Sequence, residues 1–328
     1  MTVADLRVSA TTRPIGLNRI YHRSAAPLSQ RPIEIENARV LTLGWHVIAP
    51  GRGILVNSEV AHKKWLVQKG RAEPTVAYYP RSWCSVERPC ILLGGYSNYY
   101  HHLVDYMFNL YYVERSPHAN KSLPFLVLEM QHPFQKAIAR YLELTPDRLI
   151  EVKPLSAVRC RALSVIPRSF RKFGSALEPG VFDWIRERFV GGRAGHRRRR
   201  IYISRRLAAQ RRASNEAEVV ALLSGRGFED VALEELSFEA QVALFAECEA
   251  VVGAHGAGLS NVVFSPPGCK VVEIAPEDCE PGRRFFENIS TGAGHHFVRA
   301  AGGIGFRKEQ FEVNLPALAT ALNDLEIR

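Results

Sequence analysis

No apolar run in the sequence approaches the ~20 residues that a bilayer-spanning helix requires, so no segment is expected to cross a membrane. The six cysteines, Cys84, Cys90, Cys160, Cys248, Cys269 and Cys279, show no CxxC spacing. Their scatter argues against a zinc ribbon and a disulfide framework, and it fits a reducing cytosol. The opening MTVADLRVSATTRP lacks the charged, then apolar, then small order of a secretory signal. Acidic residues are nearly missing from one stretch: between Arg186 and Arg212, Glu187 stands alone against eleven arginines.

What is present describes a globular protein. With 328 residues, 46% of them hydrophobic and 23% charged, the chain has apolar material for the cores of two domains. The net charge of +10 is concentrated in the arginine stretch, with GHRRRR (Gly195 to Arg200) at its centre. Such a segment suits phosphates, whether of nucleic acid, anionic lipid or a small molecule. The plainer reading is a solvated turn beside a domain linker.

Residues 1 to about 35 show little periodicity and read as an irregular lead-in. Short apolar runs follow at Ala38 to Leu43, Ile91 to Leu93, Phe125 to Leu128 and Leu163 to Ile166, with helical patterns at Ile138 to Leu144 and Pro179 to Phe189. The second half alternates more cleanly. IYIS (Ile201 to Ser204) reads as a strand; Asn215, with Glu218 three residues on, suggests a capping box for a helix to Leu223. A strand at Val231 to Leu233, a helix at Phe238 to Glu247 capped by Ser237, and strands at Ala250 to Gly253 and Lys270 to Ala275 follow; a helix at Leu315 to Leu325 closes the chain. Strands alternating with helices imply βαβ units and a parallel sheet. The expected fold class is therefore α/β, in two halves joined near residues 170 to 195.

Three stretches carry chemistry. His255-Gly256-Ala257-Gly258 lies between an apolar strand and a short helical piece, Leu259 to Phe264. Ligands of open parallel sheets bind beyond the carboxyl ends of strands, glycines permit close approach, and a helix start attracts phosphate. A plain tight turn is the alternative. SRRLAAQRR (Ser204 to Arg212) leaves the IYIS strand at the same sheet edge, and guanidinium forks match diphosphate oxygens. Arg205 and Arg212 are the candidates there, unless they only solvate the surface. In GGYSNYYHHLVDYMFNLYYVERSP (Gly94 to Pro117), Asn98 caps a helix that Pro117 ends, and His101 and Asp105 fall one turn apart on one face. That pair suits a general base with its orienting partner, two metal ligands, or an ordinary helix-face hydrogen bond. No third ligand at a recognisable spacing accompanies it, which argues against a metal.

Together these stretches resemble glycosyltransferase family 61, of the bacterial polysaccharide-biosynthesis type. The matching pieces are N-Y-Y-H-x-x-x-D at Asn98 to Asp105, Y-I-S-R at Tyr202 to Arg205, R-x-x-N at Arg212 to Asn215, and G-x-H-G-A-G-L-x-N at Gly253 to Asn261. F-x-P-P-G-x-x-x-x-E-I (Phe264 to Ile274) continues the last of them. The resemblance implies a GT-B architecture, two Rossmann-like α/β domains facing across a cleft. Their expected bounds are 1–175 on the acceptor side and 176–328 for the nucleotide-sugar, the last helix packing back on the first domain.

It further implies an inverting, metal-independent transferase that needs no cofactor and moves a sugar from a UDP-linked donor to a hydroxyl of a glycan or lipid-linked glycan. Capsular, exopolysaccharide or lipopolysaccharide biosynthesis is the expected setting, in the cytoplasm or peripherally at the inner face of an anionic membrane. Asp105, or His101 oriented by Asp105, would be the base. Arg205, Arg212, His255, Gly256, Ala257, Gly258 and Asn261 would hold the donor, and Glu273 would take a ribose or sugar hydroxyl or serve as a polar strand end. The alternative class is a non-catalytic nucleic-acid-binding protein using Arg186 to Arg212. It is disfavoured because those arginines are not interleaved with aromatics.

Overall fold

The computed structural model describes residues 20–21, 32–50, 53–55, 80–166, 178–193, 198–279, 284–303 and 309–328. The chain falls into two compact units, Met1–Ser97 with His101–Arg171, and Asn98–Tyr100 with Lys172–Arg328. The fold is mixed α/β. Among the described residues no helix is long and apolar enough to cross a membrane.

The first unit is built on a sheet of nine strands: β1 (Ile20–Tyr21), β2 (Ile33–Leu41), β3 (His46–Ala49), β4 (Gly53–Leu55), β5 (Ser82–Val86), β6 (Cys90–Gly94), β7 (Phe125–Leu128), β8 (Leu149–Val152) and β9 (Ser156–Val165). Their order is β1-β4-β3-β2-β9-β6-β7-β8, with β5 beside β9. The sheet is not purely Rossmann-like. β2 runs antiparallel to β3 and β9, while β6, β7 and β8 run parallel. The turn at residues 42–45 sets the β2–β3 pair antiparallel, since Gly44 and Trp45 both take positive φ (97° and 56°) and so short a connection joins only antiparallel strands.

Most of the expected irregular lead-in lies outside the described residues, but Ile33 and Ile35 belong to β2, where they alternate with Glu34 and Glu36. β7 matches the four-residue apolar run, all of it buried. The expected helix at Ile138 to Leu144 is α2 below, at Pro133–Tyr141; it starts earlier because His132 and Gln135 form a capping box ahead of Pro133.

After β6 the chain enters a π-helical turn, His101–Met107, and then α1 (Asn109–Arg115); α2 (Pro133–Tyr141) connects β7 to β8. The wide turn is marked by Phe108 N–H donating to the Leu103 carbonyl, five residues back, at 3.2 Å. Every residue from His102 to Leu110 is buried, so the segment is packed on all sides instead of along one stripe.

The second unit carries a five-stranded, wholly parallel sheet. α3 (Pro179–Ile185) leads through a π-helical stretch, Arg186–Val190, to β10 (Arg199–Ser204). There follow β11 (Arg212–Ala213), α4 (Glu216–Ser224), β12 (Phe228–Ala232), α5 (Phe238–Ala246), β13 (Cys248–Ala254), a 3₁₀ helix (Ala257–Phe264), β14 (Lys270–Pro276), α6 (Phe285–Gly292), β15 (His296–Gly302), β16 (Gln310–Phe311) and α7 (Leu315–Asp324). The sheet order is β12-β10-β13-β14-β15. In β13 only Glu249 escapes burial, as expected of a parallel strand covered on both faces. One face packs Tyr202, Val252, Val272 and Ile274 against Val219 and Leu223 of α4 and Leu318 and Leu322 of α7.

Ser237 caps α5 as expected, accepting from Ala240 N–H at 3.1 Å. Asn215 does not cap α4. Its side chain instead clamps the Val313 backbone, donating to the carbonyl at 3.0 Å and accepting from the N–H at 2.9 Å.

Burial lowers the imidazoles of His46, His102 and His295 from an ordinary 6.5 to about 4. The unfolded chain therefore takes up protons that the folded chain refuses. Stability from these groups is complete above pH ~6.5 and declines as pH falls toward ~4, each histidine contributing at most about 1.4 kcal/mol per pH unit. Urea denaturation at pH 7.5 and pH 5 should show a clear loss at the lower pH; equal stability at both would mean these rings protonate in place.

Candidate active site

The second unit's strands, taken in chain order, stand in the sheet as second, first, third, fourth and fifth. The order reverses between β10 and β13, which makes their carboxyl ends the topological switch point where ligands of such sheets bind. Ser204 and Ala254 are the last residues of these two strands. Arg205 and His255 follow directly.

Arg205 folds back over the edge. Its Nε and Nη2 donate to the Gln210 carbonyl at 3.2 and 2.8 Å. Its Nη1 lies so close to Gly256 that a Cβ built there would stand 2.1 Å away. Gly256 is extended (φ −177°), so a larger residue there would disturb this approach of Arg205 and not the backbone angles. Gly258 answers to packing: its Cβ would meet Leu233 Cδ1 at 2.9 Å. Ala257 and Gly258 are half-buried at the start of the 3₁₀ helix, a tighter coil than the expected α-helical start.

His255 is held from three directions. Its backbone N–H donates to the Ile274 carbonyl at 2.9 Å, its ring stands edge-on to Phe286 at 5.1 Å, and its Nδ1 bonds Glu273 Oε1. Glu273 is fully buried, and its other oxygen accepts from Arg299 Nε and Nη2, both at 2.9 Å. Both carboxylate oxygens are thus engaged inside the protein, which favours the polar strand end of the two readings expected for Glu273. Asn261, expected to hold the donor, also has partners inside the protein. It is fully buried, donates to Gln241 Oε1 at 2.8 Å and accepts from Tyr99 O–H.

Arg299 was not legible as a partner, because only the pairing of β14 with β15 sets it opposite Glu273. Removing it by Arg299→Met strands a buried carboxylate beside one imidazole. The expected cost is about 3 kcal/mol by chemical denaturation; a loss near zero would mean the carboxylate is neutral or hydrated in the folded protein.

Arg212 lies in β11, paired with β16, and its guanidinium faces Glu309 at 3.8 Å. The rest of the basic segment is also less available than its composition implies. Arg186 pairs with Asp183, Arg199 with Glu229, Arg200 with Glu249, and Arg206 with Asp230 and Glu235. Most of these acids come from elements distant in the chain, so the local count overstates the field. Each exposed pair adds little stability.

Asn98–Tyr100 group with the second unit: the Tyr99 ring packs near Phe238 at 6.3 Å, and Tyr100 lies against Phe285 and Phe286 at 5.4 and 5.9 Å. In the first unit, His101 Nδ1 and Asp105 Oδ2 are hydrogen-bonded at 2.7 Å, with the His101 side chain 24% exposed and that of Asp105 10%. The neighbouring His102 has another fate. Its Nδ1 accepts from Tyr96 N–H at 3.5 Å and lies 3.4 Å from Gln135 Nε2, so the ring ties residues 96 and 135 together deep in the core. Among the described residues no three His, Cys, Asp or Glu side chains cluster as a metal site.

A parallel α/β unit with a guanidinium and a glycine loop at its switch point has the form of an anion-binding fold. The sequence matches Glycosyltransferase 61 over residues 99–272, and the chain belongs to that family. A curated relative, a beta-1,2-xylosyltransferase of Oryza sativa subsp. japonica, is 28% identical over 205 residues, 56% of this chain and 43% of the relative. The chain thus spans less than half of that protein's length.

Proposed function

We propose that the protein transfers a sugar from a nucleotide-sugar donor to a hydroxyl of a glycan acceptor, in one displacement with inversion. The observation that carries this reading is the Arg205 guanidinium laid on Gly256 at the switch point of the second sheet. Family membership supports sugar transfer, and a GT-B arrangement of the two units is part of the proposal. Asp105, directly or through His101, takes the proton of the acceptor hydroxyl. That oxygen bonds to the anomeric carbon as the bond to the donor phosphate breaks, and the electron pair leaves with the diphosphate. Arg205 offsets the charge that develops there, and fixed cationic donors are effective at this. His255, oriented by Glu273 and Arg299, lines the same edge. A cytoplasmic site at an anionic membrane surface remains part of the reading, with Arg198 and its neighbours the surface to test.

The nucleic-acid alternative loses support, because carboxylates pair with much of the basic segment. The test is to measure diphosphate release from a panel of UDP-sugars with candidate acceptor glycans. The rice relative makes UDP-xylose the first donor to try. Acceptor-dependent release of a nucleoside diphosphate supports the proposal. Salt-sensitive duplex binding without release from any donor contradicts it.

A further inference from the structure

Tyr99 of the N-Y-Y-H-x-x-x-D stretch and Asn261 of the G-x-H-G-A-G-L-x-N stretch, 162 residues apart in the chain, meet in the second unit. The Tyr99 hydroxyl donates to Asn261 Oδ1. The network continues inward: Asn261 Nδ2 donates to Gln241 Oε1 at 2.8 Å, and Gln241 Nε2 donates to the carbonyls of Leu233 and Leu236 at 2.9 and 3.2 Å. Asn261 is fully buried and bonded through both its oxygen and its nitrogen, so the tyrosine meets a partner that cannot turn away. The 3₁₀ helix that carries Asn261 begins at Ala257, in the loop that follows β13.

Tyr100 is held in the same unit. Its ring lies 5.4 Å from Phe285 and edge-on to Phe286 at 5.9 Å, and Phe286 also takes the edge of the His255 ring at 5.1 Å. Tyr99 adds Phe238 at 6.3 Å. Asn98–Tyr100 thereby belong to the second unit, although Ser97 before them and His101 after them belong to the first. An excursion of three residues has no core of its own, so its side-chain partners specify it. The chain leaves it directly into His101, and Asp105 follows within a segment buried from His102 to Leu110. So closely packed a segment shifts as a body, and a displacement at Tyr99 is passed on to the pair.

We propose that Tyr99, through its bond to Asn261, is a positioning residue for the transfer: it fixes in the second unit the point of the chain from which the His101–Asp105 pair departs. Misplacing a catalytic group by about 1 Å costs a factor of about 10² in rate without touching donor binding. The inference rests on the reading in which Asp105, directly or through His101, serves a donor held by the second unit.

The test sets single-turnover transfer, from the UDP-sugar that wild type uses best, beside calorimetric titration of UDP. The proteins are full-length wild type, Tyr99→Phe, Asn261→Ser and the double variant. Tyr99→Phe removes one hydroxyl and keeps the ring for Phe238. Its transfer rate should fall about 5- to 50-fold, while UDP affinity and stoichiometry stay within about twofold of wild type. A merely structural role would lower the melting temperature and the binding-competent fraction together, without that split. In the Asn261→Ser background Tyr99→Phe should cost little more, because the bond is already gone. Should Tyr99→Phe not fold, Asn261→Ser removes the same bond from its other side and takes its place. A wild-type rate in folded Tyr99→Phe, or equal losses of rate and UDP affinity, overturns the inference and leaves the donor and base assignments standing. A loss that persists undiminished in the Asn261→Ser background overturns it too, since the hydroxyl then acts elsewhere. Failure of wild type to transfer from any UDP-sugar overturns both.

Discussion

Asp105→Asn is expected to lower transfer by a factor of roughly 10² to 10⁴, the usual worth of a general base, while leaving donor affinity nearly unchanged. The substitution is almost isosteric. Asp105 sits in the π-helical turn with its carboxylate 2.7 Å from His101 Nδ1, and an asparagine oxygen can still accept from that ring. What disappears is the negative charge, which either takes the acceptor's proton directly or holds His101 in the tautomer whose Nε2 takes it. His101→Ala separates the schemes: a directly acting aspartate survives it with a moderate loss, whereas a relay does not. Donor affinity and the melting temperature are measured on the same preparations, since a damaged core would imitate lost chemistry. Near-full turnover in a folded Asp105→Asn protein would place the base elsewhere and leave the pair as a helix-face hydrogen bond.

Arg205→Ala carries the second large effect. Turnover should fall by roughly tenfold to a thousandfold, the range for deleting one electrostatic stabiliser of a developing anion, and nucleoside diphosphate affinity should fall with it. Gly256→Ala should act in the same direction without altering any charge, because its methyl group would stand 2.1 Å from Arg205 Nη1 and must displace the guanidinium. Arg198→Ala, just ahead of β10 and away from its carboxyl end, should leave turnover unchanged. If Arg198→Ala impairs transfer in solution and Arg205→Ala does not, the leaving group is stabilised at the wrong end of the sheet for this account.

The features that could be read from the sequence are those encoded locally. The apolar run Phe125 to Leu128 is β7, Ser237 caps α5, and the four-residue spacing of His101 and Asp105 does bring their side chains into contact. The misreadings arise where a contact depends on pairing across the fold. Asn215 and Glu218 have the spacing of a capping box, yet Val313, far along the chain, claims the asparagine. Glu273 reads equally as a hydroxyl ligand or a polar strand end until β15 sets Arg299 opposite it. Arg212 and Arg211 are indistinguishable as letters. Only the β11–β16 pairing turns the first toward Glu309, and only the fold gives the second its positive φ. The basic segment misleads for the same reason, since the acids that neutralise it arrive from β12, β13 and the turn after β12.

The most direct measurement of the central claim is a crystal structure of the full chain with the best-binding nucleoside diphosphate. The account predicts the diphosphate at the carboxyl ends of β10 and β13, with its oxygens on the Arg205 guanidinium and over Gly256. A diphosphate bound instead at the amino-terminal ends of these strands, among Arg198, Arg200 and Lys270, would contradict it.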